Sequence, residues 1–146
     1  MIKRILVPVD FSDISRRAAH YAVAELAPQL GAEVVFVTVL EVSDLRIAMR
    51  AGLHGFDTDE EVHRQVHDWV EAQFAKLDTG AGPVKPQRDV RHGLPDHELV
   101  TAIREHKPDL IVMGAAGMGK RDPIGRRTEN LIRQVDVPVL LIHDRD

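Results

Sequence analysis

The feature that most restricts how this chain can fold is a set of short, branched apolar runs separated by stretches with helical spacing. Ile5-Leu6-Val7-Pro8-Val9 ends at Asp10, Val34 to Leu40 is nearly uninterrupted, Asp109 to Met113 runs into glycine, and Val139 to Ile142 closes the series. Continuous runs of this length fit strands buried on both faces. Pro8 lies near the end of its run, where a missing ladder donor costs least. A weaker, more polar segment at Gln87 to Arg91 suits a sheet edge.

The intervening segments read as helices. Ser12 or Asp13 caps a helix to about Leu30 that Gly31 stops, with Ala18, Ala19, Ala22, Val23, Leu26 and Ala27 on its apolar face. Thr58 and Glu61 form a capping box for a second helix to about Leu77, and Trp69 and Phe74 are expected in its core face. Asp96 is expected to cap a third helix, which closes before Pro108, and Thr128 or a neighbour starts a fourth through Gln134. The segment Glu41 to Phe56 shows neither period clearly. The order βαβαβαβαβ predicts an open α/β fold, a parallel sheet with helices on both faces. With no composition shift or tandem repeat, residues 1–146 are expected to form a single domain.

Composition removes several classes of function. A net charge of −4 with both signs mixed along the chain argues against nucleic acid and membrane partners. The absence of cysteine excludes disulfides, thiolate metal sites and cysteine nucleophiles. The first apolar run is too short for a membrane span or signal core, so a cytoplasmic location is expected.

In open parallel sheets ligands bind beyond the carboxyl ends of strands, where strand order reverses. Two strand ends stand out. Pro8-Val9-Asp10-Phe11-Ser12 places a carboxylate and a hydroxyl just past the first strand. Met113-Gly114-Ala115-Ala116-Gly117-Met118-Gly119 lets backbone amides approach an anion, with Lys120, Arg121, Arg126 and Arg127 adding positive charge. The alternative is an ordinary glycine turn with solvated cations. Gly114, Gly119 and Lys120 also fit the spacing of a P-loop, but Arg121 stands where a magnesium-binding hydroxyl belongs and Pro123 interrupts the helix that should follow. We read that match as fortuitous.

Other chemistry is weakly signalled. Asp10 has no evident partner base or nucleophile, so no catalytic residue is assigned. His63 and His67 lie one turn apart with Glu60 before them, but on the polar side of their helix, which favours a solvated face over a metal site. The apolar edge Val139-Leu140-Leu141-Ile142 needs pairing or cover, which favours a homodimer through the last strand.

Three pieces in order resemble the universal stress protein family over nearly the whole chain. They are Ile5-Leu6-Val7-Pro8-Val9-Asp10-Phe11-Ser12, Asp109-Leu110-Ile111-Val112-Met113-Gly114, and Thr128-Glu129-Asn130-Leu131-Ile132 followed by Val137-Pro138-Val139-Leu140. The resemblance implies a doubly wound five-stranded sheet of order 3-2-1-4-5, a dimer often formed through the last strand, and in one subgroup binding of ATP. Carried over, Asp10 and the backbone near Val39 hold adenine, Gly114 lies near the ribose, and Gly117 and Gly125 with the residues after it surround the phosphates. The candidate nucleotide site is therefore Pro8, Val9, Asp10, Val39, Met113, Gly114, Gly117, Gly125, Arg126, Arg127 and Thr128.

The chain departs from the family's ATP pattern, G-x2-G-x9-G followed by Ser or Thr. Gly125 comes after only seven intervening residues from Gly117, and Arg126 replaces the hydroxyl. The ligand implied is ATP or AMP, with or without magnesium, in a stress-response regulatory protein capable at most of slow ATP hydrolysis. The alternative is a dimeric interaction protein of the same fold that does not bind ATP.

Overall fold

A computed structural model describes residues 1–41, 59–77, 84–115 and 125–143, the first five residues of the 59–77 segment by backbone alone. Strand β1 (Arg4–Pro8) is the middle of a five-stranded parallel sheet of order β3-β2-β1-β4-β5, flanked by β2 (Glu33–Leu40) and β4 (Leu110–Gly114). The edges are β3 (Gln87–His92) and β5 (Val139–Ile142). The expected order and parallel pairing are both found.

Alternation along the strands sorts the core into two layers. Ile5, Val7, Val34, Phe36 and Val112 meet α1 (Asp13–His20), the helical turn that continues it and α3 (Asp59–Leu77) through Ala18, Ala19, Ala22, Val70 and Phe74. Leu6, Val35, Val37, Ile111 and Met113 meet α4 (Pro95–His106) and α5 (Arg126–Gln134) through Val100, Ala102, Ile103 and Leu131. Ile5, Leu6 and Val7 are fully buried because both faces of β1 are covered. Burial of each such side chain stabilises the fold by roughly 1.5–3 kcal/mol.

The first helix departs from the expected regular form. After α1 the chain widens into a π-helical stretch, Tyr21–Leu26, before α2 (Ala27–Leu30). Pro28 accounts for this: it has no N–H and its ring would press on the carbonyl four residues back. The register slips, and the Ala27 N–H donates to the Ala22 carbonyl. Gly31 then ends the helix in a left-handed conformation, φ 63°.

Three local expectations are corrected. Helix α4 begins at Pro95 with Leu94 in the cap position and no side-chain cap, so Asp96 sits in the first turn and acts through the helix dipole. Helix α5 begins at Arg126 with Gly125 as its cap, which moves Thr128 inside the first turn. Trp69 is half exposed (52%), whereas Phe74 is buried as expected. Thr58 of the capping box lies outside the described residues. On the β3 edge, Asp89 is tied to the last turn of α4 by His106 Nε2 at 2.6 Å, and Arg91 lies 3.0 Å from the same carboxylate oxygen.

Candidate functional site

The site is built where β1 and β4, neighbours whose following helices leave on opposite faces, come to an end. Register fixes what meets there. Pro8 pairs with Val37, so Asp10 lies level with Val39; Leu6 pairs with Ile111, so Pro8 comes level with Met113. Beyond β1 the Val9 N–H still donates to the Val37 carbonyl at 2.8 Å, which keeps the two chains together to the rim. Val9 and Met113 are buried, so their side chains belong to the core and only their backbone can face a ligand.

The turn after β1 is held by its own hydrogen bonds. Asp10 Oδ1 accepts from the Ser12 N–H at 2.9 Å and from the Ser12 hydroxyl at 2.5 Å. Ser12 in turn caps α1 by accepting from the Ser15 N–H at 3.3 Å. Partial desolvation works to raise the Asp10 pKa, but the hydrogen bonds from Ser12, Ser15 and the Asp10 backbone together outweigh it and hold the carboxyl below its ordinary value. Asp10 is therefore a carboxylate, an acceptor, and still reached by solvent. Between Asp10 and Ser12, Phe11 takes the left-handed conformation at φ 64°. That costs a side-chain-bearing residue about 1–2 kcal/mol, so other contacts must hold it.

At the β4 end, glycine is needed for a reason that the sequence did not reveal. A Cβ on Gly114 would lie 2.9 Å from both Ile14 Cγ1 and Ile14 Cγ2, because the first turn of α1 rests on this strand end. The Gly125 N–H donates to the Ala115 carbonyl at 2.8 Å, so the chain leaves β4 and returns to α5 at one point. Gly117 lies in the intervening segment, outside the described residues. Thr128, 5% exposed, donates its hydroxyl to the Gly114 carbonyl at 3.2 Å and so clamps helix to strand.

Arg126 and Arg127 are exposed in the first turn of α5. Cations at the positive end of a helix are disfavoured by a few tenths of a kcal/mol or more unless an anion is near. For Arg127 that anion is Glu41: Nη2 meets Oε1 at 2.5 Å. The bridge joins the residue after β2 to the helix after β4, across the end of β1 that carries Asp10. Glu41 had no sequence signal, since it lies 86 positions from Arg127 and only strand order makes them neighbours. The roles of Ile14 and Ser15 were also invisible for lack of any spacing rule.

Other features lie apart. An open groove of about 430 Å³ is lined by Arg16, Arg17, His20, Tyr21, Glu25 and Ile142, beside the β5 edge, and shares no residue with the strand-end site. His67 is solvent-exposed, and no cluster of three or more metal-ligating side chains occurs among the described residues. No described helix is long and apolar enough to cross a membrane.

Comparison with known proteins agrees with this architecture. The model of the universal stress protein family matches residues 1–143. Universal stress protein MJ0531 of Methanocaldococcus jannaschii is 30% identical, over 97% of this chain and 82% of its own. Among solved structures, hypothetical protein MJ0577 superposes with a TM-score of 0.75 at 21% identity, covering 100% of this chain and 99% of its own. More distant neighbours of the same fold include a universal stress protein in complex with cAMP (TM-score 0.62, 23% identity, 97% of each chain). Another is an Arabidopsis thaliana family protein with AMP bound (TM-score 0.60, 14% identity, 96% of this chain and 90% of its own). With the five-stranded order, the strand-end site and a family match over almost its full length, this chain belongs to the universal stress protein family.

Proposed function

We propose that this protein binds an adenine nucleotide at the β1–β4 junction and acts as a stress-response regulatory module. The observation that carries the reading is that a pre-set carboxylate acceptor, Asp10, and the cationic first turn of α5 follow neighbouring strands, with the Arg127–Glu41 bridge joining the elements on either side of the β1 end. Asp10 accepts from the exocyclic amine of adenine beside the Val39 backbone, and the ribose lies over Gly114. The phosphates lie against the α5 N-terminus, Gly117, Gly125 and Arg126, where Arg127 exchanges Glu41 for a phosphate oxygen. The bound neighbours, one with cAMP and one with AMP, lend support to adenine as the base. The shortened loop and the arginine pair favour AMP over ATP, because a fork of N–H donors neutralises one phosphate without magnesium.

The test is calorimetry of nucleotide-stripped protein with adenosine, AMP, ADP and ATP. Binding of adenosine with a gain on adding the first phosphate is expected; no heat from any of the four at millimolar concentration overturns the reading.

A second reading is favoured by one observation. Strand β5 is an edge whose four residues are only half buried, and among the described residues no strand pairs with its outer side. We assign a homodimer through this edge, which an interaction protein without nucleotide would equally need. Leu141→Lys is expected to halve the mass in solution, measured by light scattering; an unchanged mass places the interface elsewhere.

A further inference from the structure

The turn that presents Asp10 is anchored by α3, the helix that shares a face of the sheet with α1. The Phe11 ring packs edge-on against Trp69 at 5.8 Å and Phe74 at 5.2 Å, both on α3, and Phe74 stacks on Phe36 of β2 at 6.4 Å. A second tie is polar. Arg16 Nε donates to the Phe11 carbonyl at 3.2 Å, and Arg16 Nη2 donates to Gln73 Oε1 of α3 at 3.3 Å. Ring and carbonyl of one residue are thus fastened to one helix, and that residue has the single positive φ in the turn. Trp69 holds the outer side of the ring although half its surface is exposed.

We infer that Phe11 is a positioning residue: clamped by Trp69 and Phe74, it holds the left-handed turn that sets Asp10 and Ser12 for the ligand. The inference rests on the nucleotide reading for its ligand, but the clamp itself can be read without one. Helix α3 becomes part of the site's support, and the chain's one tryptophan becomes a native reporter of the turn.

Phe11→Gly separates ring from backbone, since glycine takes a positive φ freely and offers no ring. In the ligand-free protein the Asp10 carboxyl is titrated by NMR in wild type, Phe11→Gly, Phe11→Tyr and Trp69→Ala. The pKa is expected to rise toward the ordinary Asp value in Phe11→Gly, to rise less in Trp69→Ala, and to stay low in Phe11→Tyr, which keeps the ring. Adenosine affinity should fall about tenfold in Phe11→Gly, roughly the cost of one hydrogen bond to a charged group. Saturating adenosine should shift Trp69 emission in the wild type. An Asp10 pKa unchanged in both Phe11→Gly and Trp69→Ala overturns the clamp, whether or not adenosine binds. Should Phe11→Gly fail to fold, Trp69→Ala decides alone, because its half-exposed ring is not needed for the core. If the pKa moves as expected but no adenine compound binds, the clamp stands and the nucleotide reading falls.

Discussion

The two strand ends that meet at the site are built on different principles. After β1, Asp10, Ser12 and Ser15 satisfy one another, Phe11 is fixed by α3, and little freedom remains. After β4, the fixed part is backbone, with Gly114 under Ile14 and Gly125 bonded to Ala115, while the chemistry is carried by exposed arginines. The contrast teaches a division of labour. In the proposed reading the β1 side receives the base, and the β4 side offers adjustable positive charge, already in contact with a carboxylate at Glu41.

The largest effect is expected where the two sides touch. Gly114→Val drives a branched side chain into Ile14 and should destabilise the fold by about 3 kcal/mol, as overpacking of a tight contact does. Denaturant unfolding without ligand measures it, and wild-type stability in the variant would mean that the strand end and α1 are not in firm contact.

Next comes the preorganised side. Asp10→Ala should weaken adenosine and AMP alike, by roughly 1.5–3 kcal/mol, because it removes a charged acceptor common to both. A loss confined to AMP would place the carboxylate on the phosphate side and break the division. The same residue gives a pH signature. Its folded pKa is depressed, so its stabilising contribution is complete above the ordinary value of 3.8 and is lost as pH falls through the lower folded value. The stability gap between wild type and Asp10→Ala should hold steady at neutral pH and close only in acid below about pH 4.

The smallest effect belongs to the adjustable side. Glu41→Gln breaks an exposed ion pair and should change stability by less than about 1 kcal/mol. AMP should bind about two- to fivefold tighter, since phosphate no longer competes with a carboxylate, and adenosine should be unaffected. Weaker AMP binding in this variant would show that Glu41 helps the ligand.

The fold was largely legible because buried parallel strands leave a strong pattern: four of the five strands are runs of branched apolar residues, and the polar β3 was recognisable as an edge. Misplaced details were those decided by context. Asp96 has the chemistry of a cap, but Pro95 is suited to the first helical position and took it. Trp69 follows the apolar period of α3, yet its ring stops at Phe11 with half its surface in solvent. At the site, Asp10, Gly114 and Gly125 could be named from strand ends and resemblance. Their reasons could not, since Ile14 above Gly114 and Glu41 beside Arg127 are contacts made by topology across long stretches of chain.

The central claim, an adenine nucleotide lying across the β1 and β4 ends, is tested most directly by amide chemical-shift mapping during titration with AMP. The account predicts the largest shifts at Asp10, Val39, Gly114, Gly125 and Arg127, with the groove at Arg17 and Tyr21 undisturbed. Shifts centred on that groove, or none at millimolar AMP, would contradict it.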